Sequence, residues 1–130
     1  MPKDYAPVAA QPKSIVVGFD GSQGARRALE EAAHLTGYGS TLTVVSVEPS
    51  AGPTEPAVLD QARAWLLDRL VTATYVHRVG DPADELVAAA AELDADLLVV
   101  GRRSEDGKPA PGSVSAEVVL RAVCDVLVVG

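Results

Sequence analysis

Cysteine is almost absent from this chain: Cys124 stands alone among 130 residues. A single thiol excludes an intrachain disulfide, so a packed core has to hold the fold, and a reducing, cytoplasmic setting is the simpler expectation. Histidine is equally scarce. His34 and His77 fall in different segments with no further histidine or cysteine cluster beside them, which argues for surface or packing roles over a metal site. Positive charge is in deficit, with 11 Lys and Arg against 18 Asp and Glu and a formal net charge of −7. That balance disfavours nucleic acid or an anionic membrane surface as a partner. Long apolar runs are missing as well. Nothing approaches the roughly 18 consecutive apolar residues of a membrane span, and the opening MPKDYAPVAAQPK lacks a signal-peptide core. That opening reads as a flexible tail over residues 1–13, ahead of one domain over residues 14–130.

Apolar residues nevertheless make up 48% of the chain, enough for one buried core. They fall into alternating short runs and helical stripes. SIVVGFD (14–20) reads as a buried strand. Ser22 then caps a helix that places Ala25, Ala28, Leu29, Ala32, Ala33 and Leu35 on one side, with Gly37 or Gly39 to end it. TLTVVSV (41–47) is a second strand, followed by a loop rich in proline and glycine. Thr54 is placed to cap a helix whose inner face is Leu59, Ala62, Leu66 and Leu70, with Trp65 read as core in preference to ligand stacking. ATYVHRV (73–79) alternates like a strand near a sheet edge. Asp81 and Pro82 open a third helix reaching about Leu93. DLLVVG (96–101), a helix from Ser113 to about Ala122, and DVLVVG (125–130) complete the chain. Five strands alternating with four helices predict a parallel α/β sheet, because parallel neighbours need crossover connections.

In such sheets ligands gather at the carboxyl ends of the strands, where strand order reverses. Asp20, Val47 and the loop after Val100 fall on that rim if the first and fourth strands are neighbours. Gly112-Ser113-Val114-Ser115, at a helix start, offers backbone N–H groups, two hydroxyls and a positive dipole end, the chemistry of an anion site. Arg102, Arg103 and Lys108 add charge that Glu105 and Asp106 oppose. The spacing from Gly101 to Gly107 excludes a Walker-type loop. Two plainer readings stand beside this one: Gly101 ends a strand and Ser113 caps a helix, and Asp20 serves only the turn before Gly21-Ser22. No nucleophile, base and orienting group assemble from the spacing.

VVGFDGS with its alanine-rich helix, ADLLVVGRR, and GSVSAEVVLRAVCDVLVV, in that order, resemble the universal stress protein family over about residues 14–130. The resemblance implies an open five-stranded parallel sheet in the order 3-2-1-4-5 with helices on both faces. It also implies an adenine nucleotide, ATP with magnesium or cyclic AMP, over the first and fourth strands. No cofactor is required, and chemistry amounts at most to weak ATP hydrolysis. Carried over by position, Asp20 holds ribose or lies beside the base, Val45 or Val47 packs on adenine, and Gly101, Arg102, Ser104, Gly112, Ser113, Val114 and Ser115 form the phosphate segment. Ser104 stands where the family motif has a second glycine, and seven residues follow it before Gly112 in place of nine. A shorter segment with a side chain there suits a smaller nucleotide. Asp125-Val126-Leu127, where many members have Pro-Val-Leu, is similar to relatives that include cyclic AMP binders. The resemblance further implies a homodimer, here through Val126 to Val129. A nucleotide-free dimeric interaction module of the same fold is the alternative.

Overall fold

The computed structural model describes residues 12–50, 57–102 and 114–130. The elements run β1 (Ser14–Gly18), α1 (Gln23–Leu35), β2 (Thr41–Glu48), α2 (Ala57–Asp68), β3 (Thr74–Val79), α3 (Pro82–Glu92), β4 (Leu97–Gly101), α4 (Val114–Arg121) and β5 (Asp125–Val129). All four strand pairings are parallel and the sheet order is β3-β2-β1-β4-β5, as expected. β1 is central. Its Ile15, Val16 and Val17 are wholly buried because helices cover both of its faces.

Alternation along the strands divides the core in two. Ile15, Val17, Phe19 and Val44 pack under α1 and α2, whereas Val16, Val45, Leu98 and Val100 pack under α3 and α4. The first cluster also takes Ala25, Ala28, Leu29 and Ala32 from α1, the stripe expected from the sequence. Small side chains there let the helix lie close on the sheet. At β4 the approach reaches backbone: a Cβ added at Gly101 would meet the Gly24 oxygen at 2.3 Å, and one at Gly24 would meet the Arg102 oxygen at 2.6 Å.

The caps explain where the helices begin and end. Ser22 Oγ accepts from the Ala25 N–H at the start of α1, and Asp81 caps α3 by accepting from the Asp84 N–H, with Pro82 in the first turn. α2 departs from expectation at its far end. The helix stops at Asp68, Leu70 takes a φ of 59°, and the Val71 N–H returns to the Leu66 oxygen at 2.9 Å. This is a Schellman closure with leucine in the left-handed position, so Leu70 turns to solvent at 93% exposure and Val71 packs against the core instead. Asp94 ends α3 in the same way, at φ 51°.

At the base of the sheet Asp96 Oδ2 accepts from the N–H groups of Lys13 (2.7 Å) and Ser14 (2.9 Å). Pro12 and Lys13 also accept from the Ser40 hydroxyl and the Thr41 N–H, so the chain is anchored to the domain from Pro12 onward. The remainder of the proposed tail, residues 1–11, lies outside the described residues. So does Thr54, the expected cap of α2. No helix among the described residues is long and apolar enough to cross a membrane.

Candidate functional site

β1 lies between β2, with which it continues toward β3, and β4, with which it continues toward β5, so the strand order reverses beside its carboxyl end. The strand ladder closes there with the Phe19 N–H on the Val45 oxygen (2.9 Å). Two crossovers then leave on opposite faces, and the gap between them is a cleft. It has a volume of about 370 Å³. Its floor is Gly18, Val45 and Val100; Val47 and Pro49 rise on the β2 side, and Pro82 and Leu86 of α3 close the opposite wall. Gly101 and Val114 bound the β4–α4 side.

Asp20 sits at the rim. Its Oδ1 accepts from the Ser22 N–H at 2.9 Å, a turn that bends the chain from β1 into α1, with Gly21 taking the φ of 84° that a side chain would resist. The plainer reading of Asp20 as turn chemistry is therefore correct as far as it goes. Its side chain also lines the cleft, so one carboxylate serves the turn and faces the open volume.

Of the residues expected at the site, Asp20, Val45, Val47, Gly101 and Val114 come together around this cleft. Val45 is wholly buried and forms floor, while Val47 is partly exposed. Arg102 is exposed outside the lining; its N–H bonds to the Val129 oxygen at 2.7 Å. Ser115 is buried at 6% exposure inside α4 and is also outside the lining. Ser104, Gly112 and Ser113 lie outside the described residues. Sequence reasoning missed Pro49, Pro82 and Leu86. The signal for Leu86 was its place on the inner stripe of α3, but only the sheet order shows that Gly18 lies beneath it, where an added Cβ would stand 2.9 Å from the leucine.

Charged contacts behind the wall hold it in place. Arg78 of β3 donates to Glu85 (2.8 Å) and to both oxygens of Glu92, pinning α3 along its length. The same guanidinium holds the Glu92 carboxyl below its ordinary range. Arg121 of α4 bonds to Asp84 of α3 and to Glu117, tying the two helices that flank the cleft. His77, in β3, faces Glu48 at 3.5 Å, away from the cleft lining, and His34 is exposed. No group of three metal-ligating side chains occurs among the described residues. Cys124 is partly buried, and that burial, with Asp125 and Asp96 nearby, pushes its thiol up, away from the reactive thiolate.

A doubly wound parallel sheet with a cleft at its reversal point defines a broad class of ligand-binding α/β domains. Comparison with known proteins narrows it. The profile of the Universal stress protein family matches residues 12–130. A universal stress protein of Mycobacterium tuberculosis is 33% identical over 139 aligned positions, which span 90% of this chain and 95% of that protein. Among solved structures, a universal stress protein in complex with cyclic AMP superposes with a TM-score of 0.78 at 32% identity, covering 93% of this chain and 98% of the other. One from Archaeoglobus fulgidus follows with a TM-score of 0.72 at 30% identity, covering 91% and 98%. The chain belongs to the universal stress protein family.

Proposed function

We propose that this protein is a regulatory module that binds an adenine nucleotide in the cleft at the end of β1, with cyclic AMP as the preferred ligand. The observation that carries the proposal is the composition of the cleft. Val45, Val47 and Leu86 give an apolar slot for a purine, and Asp20 stands at its mouth as an acceptor for a ribose hydroxyl. The first turn of α3 at Pro82 and the start of α4 at Val114 bring positive dipole ends toward the other side. No lysine or arginine is among the described lining residues. Helix termini without a cationic side chain suit the single charge of a cyclic phosphate better than a triphosphate. The relative crystallised with cyclic AMP supports the same reading. Gly101, Ser104, Gly112 and Ser113 complete the phosphate side in this proposal, with Arg102 and Ser115 left out because both lie outside the cleft lining. ATP with magnesium is the competing ligand, and signalling follows from occupancy, with no chemical step required.

Calorimetric titration of cyclic AMP and of ATP into the purified protein tests this, after extraction of any nucleotide that co-purifies. Saturable binding of cyclic AMP, tighter than that of ATP and weakened about tenfold or more in Asp20→Ala, is the expected result, since a hydrogen bond to a charged acceptor is lost. Absence of binding by either nucleotide would overturn the proposal.

A second reading, a dimeric interaction module independent of nucleotide, is favoured by the β5 edge. β5 pairs only with β4 among the described residues, leaving its outer edge open. Val119, Leu120 and Val123, at 53%, 84% and 81% exposure, add apolar surface on and just after the neighbouring α4. An antiparallel pairing with β5 of a second copy, through Val126 to Val129, would cover such an edge.

A further inference from the structure

A second cleft, of about 480 Å³, lies between α1 and α2 on the face of the sheet away from α3 and α4. Phe19 and Leu29, at 4% and 2% exposure, lie at its base, and Trp65 stands beside them. Trp65 packs against the core as expected from spacing, and being half-buried it also borders this cleft, with the Arg69 guanidinium 3.7 Å from its ring centroid. Arg26 and Arg27 of α1 bring two positive charges to the same space.

Those two arginines differ from most others in the molecule. Arg63, Arg69, Arg78 and Arg121 each pair with a carboxylate. Arg26 and Arg27 pair with none among the described residues, although acidic side chains outnumber basic ones in the chain. Glu30 borders the same cleft without reaching either of them at ion-pair distance. Arg27 goes further, because its Nε is shut off from solvent and has no hydrogen-bond partner. A buried donor on a charged group is costly to leave unmatched. The terminal nitrogens of Arg27 are not shut off in this way, and they are where a carboxylate entering the cleft would pair with the guanidinium.

We infer that the α1–α2 cleft is a binding site for a small aromatic carboxylate. The carboxylate matches the planar fork of a guanidinium, and the aromatic body matches Phe19, Leu29 and Trp65. The volume holds a one- or two-ring molecule, within the range of small-ligand pockets. This site stands apart from the nucleotide cleft in every lining residue except Phe19.

Trp65 is the sole tryptophan of the chain, so its fluorescence reports on this cleft. The test is titration of the full chain with benzoate and phenylacetate, against benzamide and phenylacetamide as neutral matches. A saturable change with the acids and a flat response to the amides is expected. Arg27→Gln should weaken the acids by about tenfold or more, and Arg27→Lys, which keeps the charge but loses the fork, should fall between. Arg121→Gln, which removes a positive charge on α4 at the other face of the sheet, should bind the acids as the unaltered protein does. Equal responses to acid and amide, or an unchanged curve in both Arg27 variants, would overturn the inference. Circular dichroism of each variant verifies folding, and Arg27→Lys keeps the test decisive should Arg27→Gln fail to fold.

Discussion

At the scale of the residue, Gly101 has more than one reason to be glycine. The proposed function makes it part of a phosphate segment, and its missing side chain is also the space in which Gly24 of α1 meets β4. An alanine Cβ would have to displace backbone atoms, because its nearest neighbours are the carbonyl of Gly24 and the N–H of Ala25. Gly101→Ala is therefore expected to destabilise the fold by about 2 kcal/mol or more, measured by denaturant unfolding, whether or not nucleotide is present. A variant as stable as the parent would remove the packing role. Asp96 is the second residue with a specific consequence. The two N–H groups of Ser14 and Lys13 favour its ionised form and hold its carboxyl below the ordinary value of 3.8. A carboxylate with a lowered folded value contributes stability above its unfolded value and loses it as pH falls through the folded one. The expected outcome is that Asp96→Asn narrows the stability difference between neutral pH and the region below about 4. Parallel stability–pH curves for parent and variant would contradict it.

At the scale of the element, helix ends carry much of the design. Ser22 and Asp81 were readable as caps because their chemistry is local: a short acceptor followed by a helical stripe. The end of α2 was not readable. Periodicity alone carried the helix through Leu70, whereas the Schellman closure at Leu66–Val71 exchanged Leu70 for Val71 as the packed residue. β3 and β5 are the two edges, and they are protected differently. Arg78 in β3 is held by α3 carboxylates, placing charge along that strand. β5 is five residues of DVLVV, beside the exposed Leu120. If the last strand pairs with its copy, Leu120→Lys, at a side chain 84% exposed and outside both core clusters, should shift sedimentation toward monomer at micromolar concentration. An unaltered monomeric profile for the parent chain would instead sink the pairing.

At the scale of the whole molecule, the fold was visible in the order of elements and the site was visible only in part. Alternating strands and helices leave little freedom once crossovers are right-handed, and β1, covered by helices on both faces, falls at the centre. Asp20, Val47 and Gly101 were legible because strand ends converge at the reversal point, Val114 because it opens a helix there, and Val45 only through the family resemblance. Pro49, Pro82 and Leu86 were not, since their placement depends on how α3 settles over Gly18, a matter of packing with no local signature. Net charge belongs to this scale too. At −7 the protein repels polyanions, so the proposed binding of an adenine nucleotide relies on a shaped slot and helix termini, with the overall field against it. Cyclic AMP carries the least charge to be opposed. The most direct measurement is a backbone amide chemical-shift map of the protein titrated with cyclic AMP. The account predicts saturable shifts concentrated at Gly18, Asp20, Val45, Val47, Gly101 and Val114, with the amides of Gln61 and Trp65 in the second cleft unmoved. Shifts confined to the α1–α2 cleft, or none at saturating nucleotide, would contradict it.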